Sequence, residues 1–152
     1  MSERRRTPLV PPVWAGFTLG LQYALWRLLP GPRLVGEWWP SVGLGLVGVG
    51  LVLILYCAGL FHRSGTAIEP GRVSESLIIR GPYRWSRNPI YASMFVVLVG
   101  TAVWFGNATA FLPLAGFLWI ISSQFVTLEE QMLVDRFGEE YHEYRSRVRR
   151  WL

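Results

Sequence analysis

The chain reads as long apolar runs separated by short polar stretches rich in arginine. Four runs stand out, at about residues 13–29, 42–61, 89–105 and 108–127. A helix that spans a bilayer needs roughly 20 residues, with a range of about 17–25, so all four have spanning length. Breakers lie between them: Pro30, Gly31 and Pro32 after the first, Gly106 and Asn107 after the third. The third and fourth runs therefore predict a tight helical hairpin. Beyond residue 127 the pattern changes. Leu133, Phe137, Tyr141, Tyr144, Val148 and Trp151 recur at steps of three and four, with Asp135, Glu139, Glu140, Glu143 and arginines on the other faces. That is the signature of an amphipathic helix too charged to span.

The pattern predicts an all-α integral membrane protein with about four transmembrane helices plus a C-terminal amphipathic cytosolic helix. It divides one membrane domain, 1–152, into two N-terminal helices (1–61), a cytosolic loop (62–88), a helical hairpin (89–127) and the amphipathic helix (128–152). The basic start precedes an apolar run interrupted by Trp14, Gln22, Tyr23 and Trp26, with no small-residue cleavage site after it, so that run is read as a retained helix.

Charge adds an orientation. All 15 basic residues are arginine. With the N-terminus in the cytoplasm, only Arg27 and Arg33 fall near the far side, and the other thirteen share the cytoplasmic face with both termini. Trp38 and Trp39 suit an aromatic anchor at the opposite interface. A net charge of +5 without a zinc-finger, RNA-recognition or helix-turn-helix pattern points to an anionic lipid surface and no nucleic acid. The single Cys57 excludes an internal disulfide, and His62 and His142 have no ligand spacing, so no metal site is expected.

Three stretches bear on chemistry. "GLGLVG", Gly43 to Gly48, has the glycine spacing of a dinucleotide fingerprint but lies inside an apolar run with no strand beside it, so it is read as close helix packing. "GPYRWSRNPIY", Gly81 to Tyr91, combines interfacial arginines and Trp85 with Asn88 as an N-cap and Pro89 at the first helical position. Helix-start amides there can hold an anionic group, and the aromatic rings can face a cation. Glu129 and Glu130 close the fourth run. "TLEE" reads either as a capping box opening the terminal helix or as part of one continuous helix. In the second case two carboxylates sit at the membrane boundary below Ser122, Ser123, Gln124 and Thr127, where ionisable groups have a partner or a task.

"GTAIEPG" (Gly65 to Gly71), "SLIIRGPYRWSRNPIY" (Ser76 to Tyr91) and "EEQMLVDRFGEEYHEYRSRVRRW" (Glu129 to Trp151) together resemble the C-terminal signature of the isoprenylcysteine carboxyl methyltransferase and phospholipid methyltransferase families. The resemblance covers residues 61–152. It implies S-adenosylmethionine as cofactor, with Ser76, Leu77 and Ile78 lining the pocket, Tyr83 as its aromatic wall, and Asn88, Pro89, Ile90 and Tyr91 matching an Arg-His-Pro-x-Tyr element. Glu129 and Glu130 match the acidic pair that contacts the cofactor. Two positions depart from the family pattern: Asn88 stands where the element has histidine, and Phe125, flanked by Gln124, stands where isoprenylcysteine enzymes place an arginine four residues before the glutamate. The implied activity is methyl transfer by direct displacement to a lipophilic or small nucleophile, with Gln124 and Phe125 on the acceptor side and no catalytic residue singled out. Two other readings remain open at this level: an NADPH-dependent membrane reductase of related architecture, and a non-enzymatic helical scaffold that binds anionic lipid.

Overall fold

The computed structural model describes residues 10–34, 36–63 and 76–151. Arg4 to Arg6, the 65–71 block and Arg72 lie outside the described residues. The described chain is helical: α1 (Pro11–Leu28), α2 (Trp39–Arg63), α3 (Pro89–Phe105), α4 (Leu112–Ile120), α5 (Thr127–Phe137) and α6 (Glu139–Arg147). Short 3-10 turns sit at Gly81–Arg84 and Ala108–Phe111, and a π-helical turn at Ile121–Val126 joins α4 to α5. Two helical stretches are long and apolar enough to cross a bilayer, Trp39–Arg63 and Ala108–Phe137, while α3 is a shorter apolar helix of 17 residues.

α2 and α3 pack backbone to backbone because glycines face each other. A Cβ added to Gly43 would lie 2.6 Å from the Gly100 carbonyl oxygen, and one added to Gly100 would lie 2.7 Å from that of Gly43. Gly50 meets the Ser93 carbonyl in the same way, at 2.9 Å. The seam is thus Gly43, Gly50 and Gly100. Gly45 and Gly48 of the fingerprint-like stretch face open space.

The predicted hairpin forms through Gly106, whose φ of 75° closes α3, and Asn107, whose side-chain oxygen accepts from the Ala110 amide at 3.2 Å. The Pro30–Pro32 break returns to this turn: Leu34 N–H donates to Gly106 O and Ala108 N–H to Pro32 O. α1 is fastened to α3 by the buried Gln22, which donates to Leu98 O at 2.9 Å and accepts from the Thr101 hydroxyl at 2.7 Å. A core of Tyr91, Leu98, Phe117, Ile121 and Phe125 lies between α3 and the α4 path. Outward faces are apolar, as a lipid-facing surface requires: Phe17, Leu44, Val52, Leu55, Leu112 and Trp119 are all exposed.

One local expectation is corrected, and one pair of alternatives is decided. The terminal amphipathic helix is broken at Gly138, whose φ of 52° suits glycine and ends α5 before α6 begins. "TLEE" is not a capping box: Val126 and Thr127 are both helical, and the Thr127 hydroxyl donates back to Ser122 O at 2.9 Å. The helix therefore runs on into the acidic pair.

Candidate active site at the start of α3

The site is assembled where the start of α3, the first turn of α5 and the C-terminal tail meet. The π turn makes this possible. A π turn carries one residue more than an α-turn, which rotates everything after it by about 100°. Ile121, Phe125 and Val126 are buried in the turn, and Glu129 and Glu130 leave it facing two different partners.

Glu129 faces Tyr91. The Tyr91 hydroxyl donates to Glu129 Oε1 at 2.6 Å, a short hydrogen bond, and among the described residues Tyr91 is its hydrogen-bond partner. Tyr83 stands nearby in the 3-10 turn opened by Gly81 at φ 59°. Its ring packs edge-on against Phe61, with centroids 5.7 Å apart, in a cluster with Cys57, Ile78, Leu60 and Ile90. Burial pushes the Tyr83 hydroxyl above its ordinary range, and Cys57, Tyr144 and Glu129 push it further, so it stays protonated at neutral pH.

Glu130 faces the other way and is 5% exposed. Arg150 grips it bidentately, Nε to Oε1 at 3.2 Å and Nη2 to Oε2 at 2.6 Å. Arg87 Nη1 lies 3.2 Å from Oε1, an ionic contact off the hydrogen-bond line, since Arg87 Nε and Nη1 are buried without a hydrogen-bond acceptor. The tail that carries Arg150 runs along the α3 entrance. Arg87 N–H donates to Arg149 O at 2.9 Å, and the Asn88 side chain donates to Arg150 O at 3.1 Å. Ser86 Oγ lies 3.3 Å from the same carbonyl oxygen and accepts from the Asn88 amide at 3.1 Å. Tyr144 adds a hydrogen bond to the Tyr83 carbonyl at 2.7 Å.

The structure therefore brings Tyr83, Ile78, Ile90, Tyr91 and Glu129 toward one region, with Pro89 buried at the first turn of α3 and Ser76 and Leu77 half-buried on the approach. Asn88 holds the N-cap position, but its side chain makes no cap and turns to the tail instead. Phe125 is sealed in the core beside Tyr91, and Gln124 is exposed on the π turn. Arg87 has a partner that the sequence reading did not give it. Grouped with Arg80 and Arg84 as an interfacial arginine, it is instead 10% exposed and paired with Glu130. Sequence reading assigns Arg150 and Ser86 no role in the site, and Tyr144 only a place on the apolar face of the terminal helix. Nothing in an arginine-rich terminus distinguishes the one arginine that folds back.

A family model for phospholipid methyltransferase matches residues 38–140, more than half of the chain. Protein-S-isoprenylcysteine O-methyltransferase from Homo sapiens is 35% identical over 139 residues, covering 89% of this chain and 46% of its own length. The Schizosaccharomyces pombe protein of the same name is 31% identical over 103 residues, covering 60% of this chain and 44% of its own length. The chain thus spans about half the length of these relatives. A solved structure of the eukaryotic intramembrane Ras methyltransferase ICMT (isoprenylcysteine carboxyl methyltransferase) superposes with a TM-score of 0.67 at 20% identity, over 90% of this chain and 50% of that one, which establishes a shared fold. On the family match across its helices, the fold and the acidic pair at the end of the last apolar helix, the chain belongs to the phospholipid methyltransferase family of integral membrane proteins.

Proposed function

We propose that the chain is a membrane methyltransferase that uses S-adenosylmethionine and methylates a lipophilic or small nucleophile at the membrane–cytosol boundary, with both termini in the cytoplasm. The observation that carries this reading is the Tyr91–Glu129 pair, a carboxylate fixed by a 2.6 Å hydrogen bond beside an aromatic, water-poor cluster.

The donor set fits the cofactor. Glu129 offers a carboxyl group in a fixed position for an ammonium, and Tyr83 and Tyr91 offer rings to a flat base or a sulfonium. The first-turn amides of α3, at Ile90 and Tyr91, have no intrahelical acceptor and can take a carboxylate. Ser76, Leu77 and Ile78 supply the remaining wall, and Pro89 and Asn88 set the direction of the helix start. When bound, S-adenosylmethionine supplies a methyl group on a sulfonium leaving group, so the protein's task is alignment rather than covalent catalysis.

The chain's residues orient and exclude. Tyr91 fixes the rotamer of Glu129; Phe61, Ile78 and Ile90 keep water from that side of the cluster. Tyr83 remains a neutral donor, since its hydroxyl is held above its ordinary range. The acceptor side is apolar where isoprenylcysteine enzymes carry an arginine: Phe125 is 4% exposed and offers no guanidinium to an acceptor carboxylate. This supports an acceptor other than a prenylcysteine carboxylate.

Calorimetry on detergent-purified protein tests the cofactor. S-adenosylmethionine should bind the wild type, and Glu129→Ala should abolish binding. Well-folded wild-type protein without a binding heat would end the proposal. A labelled-methyl transfer assay against a membrane extract then identifies the acceptor.

A further inference from the structure

We infer that Arg87, Glu130 and Arg150 form a latch that fastens the C-terminal tail across the start of α3, and that Glu130 is a positioning residue for the Tyr91–Glu129 site rather than a ligand contact. The inference rests on the proposed function for the identity of the ligand, but not for the existence of the latch.

Glu129 and Glu130 are neighbours in sequence and separate in space. Successive residues of a helix point about 100° apart, so only one of the two can face Tyr91. Glu130 is buried, and both of its oxygens already hold guanidinium groups, at 2.6 and 3.2 Å from Arg150 and 3.2 Å from Arg87. An incoming ammonium would have to displace an arginine from a bidentate contact with a buried carboxylate. Glu129 asks for no such exchange.

The latch has a mechanical consequence. Arg150 is held at its side chain by Glu130 on α5 and at its carbonyl by Asn88 at the α3 entrance, 3.1 Å away. The backbone bond from Arg87 N–H to Arg149 O runs alongside. One tail segment thus ties α5 to the start of α3, the two elements that carry Glu129 and Tyr91. The tail continues into Trp151, which packs against the core cluster that contains Tyr91. Releasing the tail loosens the distance between the two site residues without removing either one.

The charge balance selects the test. The latch holds one carboxylate and two guanidinium groups, so removing Arg150 leaves a paired Arg87–Glu130, whereas removing Glu130 strands two cations together. Arg150→Met therefore opens the latch with the smaller disturbance. In detergent-purified full-length protein, amides at 148–151 should exchange hydrogen at least about tenfold faster in Arg150→Met than in wild type. The dissociation constant for S-adenosylmethionine should rise about tenfold while the ligand-free melting temperature stays close to wild type. Arg150→Lys, which keeps the charge and loses the fork, should recover part of both effects. Glu130→Gln combined with Arg150→Met should bind no more weakly than Glu130→Gln alone, because both break one contact.

Two results overturn the inference. One is unchanged exchange at 148–151 in Arg150→Met. The other is an Arg150→Met protein that binds at least as well as wild type while Glu130→Gln fails to bind, since a freed Glu130 would then be the ligand contact. If wild-type protein binds no S-adenosylmethionine, the proposed function fails, and the exchange comparison alone decides the latch.

Discussion

Tyr91 and Glu129 make a short side-chain contact at 2.6 Å, and each depends on the other. The phenol has a carboxyl acceptor in a buried setting, and the carboxyl group is held in one position by that bond. Hydrogen bonds to charged groups contribute about 1.5–3 kcal/mol, so Tyr91→Phe should weaken S-adenosylmethionine binding by about 10–100-fold while keeping the ring in place. Titration calorimetry reads this directly, and an unchanged dissociation constant would mean that the hydroxyl does not orient Glu129. Gln22 shows the same logic in a setting remote from the Tyr91–Glu129 pair. Its amide is fully buried and satisfied at both ends by α3, so its role is to hold α1.

At the scale of elements, the α2–α3 seam and the π turn do different work. The seam allows backbones to touch, and a side chain at Gly43 or Gly100 would overlap main-chain atoms at 2.6 and 2.7 Å. Gly100→Val should therefore cost at least about 1–3 kcal/mol and lower the melting temperature in detergent. Gly45→Ala and Gly48→Ala enter open space and should leave it unchanged or slightly raised. Glycine spacing in the sequence revealed the close packing of an apolar helix. It did not reveal which glycines face the partner, because that depends on the rotation of α2.

The π turn sets the direction of the acidic pair. Deleting Ser123 should contract it to an α-turn and rotate α5 by about 100°, carrying Glu129 away from Tyr91. Ser123 is exposed and, among the described residues, donates to carbonyls of its own helix, Trp119 O at 2.6 Å and Ile120 O at 3.5 Å, so Ser123→Ala is the control. Circular dichroism should show equal helix content in both variants, with ligand binding lost only in the deletion. Retained binding in the deletion would show that the extra residue does not set the angle of Glu129.

For the whole molecule, the sequence carried the helical order well. Apolar periodicity and the Pro89 start with the Gly106 stop placed α3 at the limits observed, and the run of polar and charged residues after residue 127 marked the change in character. What it could not carry were contacts between distant segments. Arg87 and Arg150 sit in runs where every arginine obeys the same topological rule, so burial of two of them with Glu130 leaves no local trace. The break at Gly138 was masked by a hydrophobic period that continues through it.

The remaining prediction concerns orientation. The loop that leads into α3, the acidic pair and the tail meet at one end of the helices, whereas Arg33 pairs with Asn107 at the hairpin turn, which is the opposite end of α3. Thirteen arginines belong to the first end by sequence and only Arg27 and Arg33 to the second. Arg27 lies over the Trp26 ring at 5.6 Å, and Trp38 and Trp39 stack at 4.7 Å, an arrangement suited to the interface where cations are sparse. A fluorescent protein fused after Leu152 should therefore fold and fluoresce in the cytoplasm, and a cysteine introduced at exposed Trp38 should react with an impermeant maleimide from the other side. The reverse pattern would place the site away from the cytosolic pool of S-adenosylmethionine, and the proposed activity would lose its donor.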